Sequence, residues 1–207
     1  MTNEWKDVDH ALAYLARADA IPHRTEGEAA LVAEVPPECR SILDLGTGDG
    51  RLLALLLLRC PDAQATAIDF SPAMLARAGE RFRGDDRVHV IEHDLAQPLP
   101  EMGTRNAICS SFAIHHLSHE RKRRLYQESW DLLEPGGVLC NLEHVASPTA
   151  RLHQAFLDVM GGQEDESNIL LDVETQLLWL REIGFDDVDC LWKWRELALL
   201  TGVKPAA

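Results

Sequence analysis

Three glycines in five positions, Gly46, Gly48 and Gly50, stand between the apolar run "SILDL" (41–45) and the leucine-rich "RLLALLLLRC" (51–60). Glycines at a strand-to-helix junction permit a tight turn and let a ligand come close to the backbone. A dinucleotide loop of the GxGxxG kind needs a third glycine at position 51, where this chain has Arg51. Asp49, inside the loop, is also a poor neighbour for a pyrophosphate. Asp69, at the end of the next apolar run, is placed to accept both hydroxyls of a ribose. In "HDL" (93–95), the Asp94 side chain suits an exocyclic amine of adenine, and the Leu95 amide suits a ring nitrogen. Ribose and adenine without phosphate point to an adenosine joined to a cation, as in S-adenosyl-L-methionine (SAM). Further along, His115 and His116, then Glu143 and His144, follow two more apolar runs and face the same crevice as base or acceptor-binding candidates. Structural alternatives stay open. Asp44 can satisfy loop amides, Asp69 can serve as an N-terminal charge for the next helix, and a histidine can pack in the core.

Position depends on the elements around these residues. Strands are expected at 41–45, 64–69, 87–94, 106–111 and 138–145, and helices at 51–60, 72–83 and 119–134. Ser71 is the expected N-cap before Pro72, and "PGG" (135–137) is expected to turn. Alternation of this kind implies a parallel sheet covered by helices on both faces. A helix over 175–185 ending at Gly184 and the paired runs 187–194 and 196–204 complete the pattern, the pair forming an antiparallel hairpin. The expected fold is a three-layer αβα, Rossmann-like, seven-stranded and mostly parallel sheet with an antiparallel last strand, in one domain over 1–207. Residues 1–35 are expected to form a helical cap, with Trp5 and Tyr14 over the acceptor pocket and Arg24 within reach of a carboxylate. Its second helix is expected to open on a capping box from Thr25 to Glu28. Residues 146–172 form an excursion expected to cover the acceptor. Trp192 and Trp194 alternate along the hairpin and are expected to pack in the core.

Composition narrows the classes. With 20 basic and 34 acidic residues the net charge is −14, which disfavours a nucleic-acid footprint. "ERKRRL" (120–125) reads as a solvated helix face. Five scattered cysteines without a CxxC pair argue against zinc or a disulfide framework, and Cys109 and Cys140 read as small core residues. No apolar stretch approaches a membrane span. The expectations are no metal, no membrane or nucleic-acid partner, a cytoplasmic location, and an open oligomeric state, homodimer included.

"LDLGTGDG" (43–50), "IDFSPAML" (68–75), "EHDL" (92–95), "SSFAIHHL" (110–117) and "LLEPGGVL" (132–139), in this order, resemble the motifs of class I SAM-dependent methyltransferases. The resemblance covers roughly residues 40–145 and the hairpin, and "SSFAIHHL" is similar to the small-molecule branch (methyltransferase types 11, 12 and 25). It implies Gly46 and Gly48 beside the methionine part and Asp44 near its amino group. It implies Asp69 on the ribose, Phe70 and Met74 on the adenine, Asp94 and Leu95 on its edge, and Ser110 and Ser111 below the sulfonium. The product would be S-adenosyl-L-homocysteine (SAH). The family's early fourth-strand aspartate is replaced by Asn106, for which a structural consequence alone is expected. Two further readings compete: a non-catalytic SAM-binding protein, and other SAM chemistry such as carboxy-SAM formation.

Overall fold

In the computed structural model, residues 21–162 and 164–206 are described; the expected first helix, with Trp5 and Tyr14, lies outside them. The strands are β1 (Ser41–Leu45), β2 (Gln64–Asp69), β3 (Val88–Glu92), β4 (Arg105–Ser111), β5 (Leu133–His144), β6 (Asp186–Trp194) and β7 (Leu197–Val203). They form one sheet in the order β3-β2-β1-β4-β5-β7-β6. β1 to β5 are parallel, and β7 runs antiparallel between β5 and β6. β1 has β2 on one side and β4 on the other, so the strand order reverses there. A crevice opens beyond the strand ends at such a switch point.

Successive strand residues face opposite sides, and both sides are covered. Ile42, Cys109, Cys140 and Leu142 pack with Leu31 of α1 (Arg24–Glu34), Leu53 and Leu56 of α2 (Arg51–Arg59), and Phe156 of α5 (Ala150–Val159). Leu43, Leu45, Ile108 and Leu139 pack with Leu125 and Tyr126 of α4 (His119–Leu132) and Leu180 of α6 (Val173–Ile183). α3 (Pro72–Arg81) buries Met74 and Ala78. Double coverage explains why the central strands read as unbroken apolar runs, whereas the edge strand β6, "DDVDCLWKW", alternates. Trp192 and Trp194 are half-buried on its inner face, packed against the first core.

Several local expectations are corrected. α1 has no capping box: its N-cap position is His23, without a side-chain cap. Glu28 turns inward, fully buried, to Arg24 (2.8 Å) and Arg51 (2.8 Å), because two guanidiniums hold a carboxylate more strongly than one exposed amide does. Ser71 occupies the N-cap position of α3, yet its hydroxyl makes no capping bond; Asp69 takes the Ser71 amide instead. Pro135, Gly136 and Gly137 lie within β5 rather than in a separate turn. Gly136, at φ +80°, donates to Lys204 O, and Lys204 donates back to Gly137 O. α6 starts two residues earlier than expected because the Asp172 side chain caps it, accepting from the Thr175 amide (2.7 Å). Asn106 is structural as expected: Oδ1 accepts from the Arg40 and Ser41 amides and the Ser41 hydroxyl, and Nδ2 donates to Glu134.

The basic run splits. Arg123 and Arg124 are exposed, but Arg121 and Lys122 are buried. Arg121 donates to Leu95 O, Gln97 O and Glu128. Lys122 Nζ donates to the carbonyls of His115 (3.0 Å), Leu117 (2.7 Å) and Ile169 (2.6 Å), pinning the excursion to the segment after β4. Burial pushes its pKa down to about 8. Lys122→Met leaves three buried carbonyls without a donor and should cost on the order of 3 kcal/mol. Thermal melting should show it as a fall of roughly 6–12 °C.

Candidate active site

The glycine loop divides its work. At Gly46, φ is +71° and a Cβ would stand 2.2 Å from the Cβ of Ala113, so the segment after β4 closes on the loop there. At Gly48, φ is +56° and a Cβ would meet nothing within 4 Å, so this position borders open space. The Gly48 amide donates to Asp69 Oδ2 (2.9 Å), and Thr47 N donates to Ile68 O, which lashes the loop to β2. The ring of Phe82 packs against Gly50. Asp49 pairs with Arg81 (2.5 Å), so its repulsion of a phosphate is weaker than the sequence implies. Exclusion of a dinucleotide rests on Arg51, which is committed to Glu28 rather than to a helix–strand contact of the glycine kind.

Buried polar atoms are nearly always hydrogen-bonded, so exceptions ask for a ligand. Four such atoms without a protein partner stand at the carboxyl ends of successive strands: Asp44 Oδ1 on β1, Ser71 Oγ after β2, His93 Nε2 after β3 and Ser111 Oγ on β4. Asp44 pairs in register with Cys109, so its side chain and that of Ser111, two residues further along β4, share one face. The second oxygen of Asp44 accepts from Thr47 Oγ1 (2.6 Å). Burial pushes the Asp44 carboxyl up to about 7, against the pull of the Thr47 bond. Asp69, also buried, accepts from Gly48 and Ser71 amides, one on each oxygen, and desolvation raises its pKa nevertheless. Phe70 is half-buried, and Met74 and Leu95 are buried. Asp94 accepts from the Ala96 amide through Oδ1 and holds the turn after β3. Ser110 differs from its neighbour: its hydroxyl is spent on Leu45 O (2.8 Å).

At the ends of β4 and β5 the four titratable candidates come together. His115 is buried, and its Nδ1 lies 2.7 Å from Glu143 Oε1. Its ring packs on His116 (centroids 3.9 Å) and stands 5.7 Å from that of His144. Burial pushes His115 well below its ordinary pKa, with His144 and Lys122 adding to the effect. The same cause pushes Glu143 up to about 6 and His116 down to about 3. At neutral pH Glu143 is therefore an ionised acceptor, and the His115 proton belongs on Nδ1. His115 Nε2 has no partner among the described residues. His116 Nδ1 meets the hydroxyl of Ser167 (3.0 Å), so it anchors the excursion.

Further members of this network went unread in the sequence. Asn141 Nδ2 donates to Tyr126 Oη, which donates to Gln176. Glu196 is fully buried and bridges two rings, with Oε2 at 3.0 Å from His144 Nε2 and Oε1 at 2.9 Å from His153 Nδ1. Burial raises its pKa, but bonds from His144, Ser147 and His153 outweigh this and leave it lowered. The signal for Glu196 was an acid heading the apolar run "LALL". Only the β5–β7 register, with His144 opposite Leu197, carries it to the site. Arg24, buried against Glu28, lies 5.4 Å from the Phe112 ring centre.

The family profile described as a methyltransferase domain matches residues 42–137, which hold the glycine loop, Asp69 and the His115 segment. Over this stretch the chain resembles the class I SAM-dependent methyltransferases. Aclacinomycin 10-hydroxylase RdmB of Streptomyces purpurascens is 32% identical to this chain over 187 residues, covering 82% of the chain and 48% of RdmB. A trans-aconitate 2-methyltransferase of Methylobacterium radiotolerans is 36% identical over 135 residues, covering 64% and 50%. The chain thus spans about half the length of these curated relatives. Human N-acetylserotonin methyltransferase, solved with SAM, superposes at a TM-score of 0.72 with 18% identity, over 98% of this chain and 58% of that one. It shares the fold.

Proposed function

We propose that the chain transfers a methyl group from SAM to a small-molecule acceptor and releases SAH. The observation that carries this reading is the row of unpartnered buried polar atoms along the ends of β1 to β4. They suit a ligand with a cationic and an adenosyl end. Asp44 Oδ1 would take the ammonium. Asp69, with lone pairs to spare, would hold the ribose. Phe70, Met74, Asp94 and Leu95 would frame the adenine. Ser111 and the open side of Gly48 would border the sulfonium, and Ser110 fixes the floor through Leu45. The cofactor's sulfonium supplies the activated methyl group, so the protein's task is placement and exclusion of water. For an acceptor that must lose a proton, His115 is the base: Glu143 holds Nδ1–H, the lone pair of Nε2 is open, and burial keeps the ring neutral until a proton arrives. An acidic chain with no basic stripe favours a small molecule over a nucleic acid. Among the described residues no helix is long and apolar enough to cross a membrane; we place the protein in the cytoplasm.

Purified protein, SAM and an acceptor panel followed by mass spectrometry test this. A methylated product and SAH are expected, and binding of NAD with indifference to SAM would overturn the reading. A second reading has one observation in its favour: the relative covering 82% of this chain is named a hydroxylase. It predicts an acceptor that gains oxygen rather than a methyl group.

Asp44 makes cofactor affinity depend on pH. Its carboxyl, pushed up to about 7, is largely protonated in the free protein at pH 6. An ammonium beside it favours the ionised form, so binding releases a proton. Affinity should fall by up to about tenfold per pH unit below pH 7 and level off above it. Calorimetry in two buffers of different ionisation enthalpy would detect the released proton, and Asp44→Asn should abolish both effects.

A further inference from the structure

The site holds a second histidine–carboxylate pair besides His115–Glu143, and nothing in the proposed methyl transfer uses it. His144 Nε2 faces Glu196 Oε2 at 3.0 Å. Glu196 is fully buried and accepts, so the neutral His144 ring carries its proton on Nε2. Nδ1 of His144 is thereby a lone-pair acceptor, and it has no partner among the described residues. His115 is arranged in the mirror sense: Nδ1 is tied to Glu143 and Nε2 carries the open lone pair. The two rings stand 5.7 Å apart, centre to centre, nearly edge to face. Each is stiffened by its own buried carboxylate, and Glu143 Oε1 also accepts the His144 amide (2.9 Å), which joins the two pairs. Phe156, itself buried, packs on the His144 ring at 5.1 Å and holds it in place. Lys122, whose charge acts on His115, is committed: its Nζ binds three carbonyls. The wall therefore offers two acceptors of hydrogen bonds set in the aromatic rings of His115 and His144.

We propose that the methyl acceptor is a compound with hydroxyl groups on two adjacent carbons of an aromatic ring, one deprotonated at His115 and the other held by His144. This rests on the methyl-transfer reading above. The 5.7 Å between ring centres falls within the span of two such hydroxyls, each at hydrogen-bonding distance from its own ring nitrogen. In the step, the first hydroxyl gives its proton to His115 Nε2. Its oxygen pair forms the bond to the methyl carbon, and the carbon–sulfur bond breaks with its electrons staying on sulfur, which becomes neutral. The second hydroxyl keeps its proton and donates it to His144 Nδ1 throughout. Glu196 is a positioning residue that fixes the tautomer and angle of His144.

Catechol and phenol serve as probes on SAH-loaded protein with nitrogen-labelled histidines. Catechol should shift the ring resonances of both His115 and His144, phenol those of His115 alone, and catechol should bind roughly tenfold more tightly. His144→Ala should bring the two affinities together. Glu196→Gln, which keeps shape and volume, should weaken catechol and leave phenol unchanged. Equal binding of the two probes, no catechol binding, or a His144 resonance that ignores catechol overturns the proposal. SAH affinity, measured by calorimetry on the same samples, separates the two levels. Tight SAH binding with indifference to catechol sinks this inference alone, whereas failure to bind SAH sinks the underlying reading with it.

Discussion

Asp69→Ala should weaken SAM binding by about 100-fold or more, measured by titration calorimetry. The carboxylate has two tasks in one place. Toward the protein it accepts the amides of Gly48 and Ser71, one on each oxygen, and so fixes the glycine loop and the start of α3 against β2. Toward the cofactor its remaining lone pairs take the ribose hydroxyls. Hydrogen bonds to a charged group contribute about 1.5–3 kcal/mol each, and the variant loses the ribose pair together with the order of the loop beside it. Two unpaired buried amides should also lower the melting temperature. Asp69→Asn separates these effects, since it keeps one oxygen acceptor and loses the charge; its fold should be closer to the parent while its affinity for SAM remains depressed. An Asp69→Ala protein that binds SAM as the parent does would remove the ribose assignment.

What the sequence revealed and what it hid divide along chain separation. The strand–glycine–helix unit is local, so the spacing from Asp44 through Gly50 to Asp69 already contains the loop, and Gly48 borders open space as that spacing implies. The doubly covered sheet was legible in the same way, because runs such as "SILDL" make sense only if both faces are buried. Parity was harder. Ser110 and Ser111 are equivalent in the sequence, but strand alternation sends one hydroxyl to Leu45 O and leaves the other without a partner. "ERKRRL" misled because helix charge is ordinarily solvated. Helix periodicity does not report that the carbonyls of His115, Leu117 and the distant Ile169 converge on Lys122, or that Leu95, Gln97 and Glu128 converge on Arg121. Glu196 was illegible for the same reason: its role comes from β7 lying beside β5, a pairing across 52 residues from His144. The sequence placed His115, His116, Glu143 and His144 at one crevice. The division of labour among them came only from the carboxylate each ring faces.

That division makes the largest kinetic prediction. His115→Ala should lower kcat by about 10²–10⁴-fold for an acceptor that must lose a proton, the usual range for a general base, while SAM affinity stays within about twofold. Glu143→Gln should cost less, because the ring remains and only its orientation and the stabilisation of its imidazolium are lost. The pH profile gives the sign. The working pair is neutral His115 beside ionised Glu143. Burial holds His115 well below its ordinary value, so the ring itself stays neutral far into the acid range. Burial holds Glu143 at about 6, so lowering the pH through that value protonates the carboxylate first and removes the acceptor at Nδ1. At saturating SAM, where the Asp44-linked fall in cofactor affinity does not enter, the parent's kcat/KM for the acceptor should therefore fall on the acid side of about pH 6, and in Glu143→Gln that limb should vanish from this range and leave a lower, flatter profile. A His115→Ala variant that keeps kcat within threefold of the parent would show that the acceptor needs no base from this pair. An acid limb unchanged in Glu143→Gln would show that some other group titrates there, because within the described dyad only this carboxylate changes charge near pH 6.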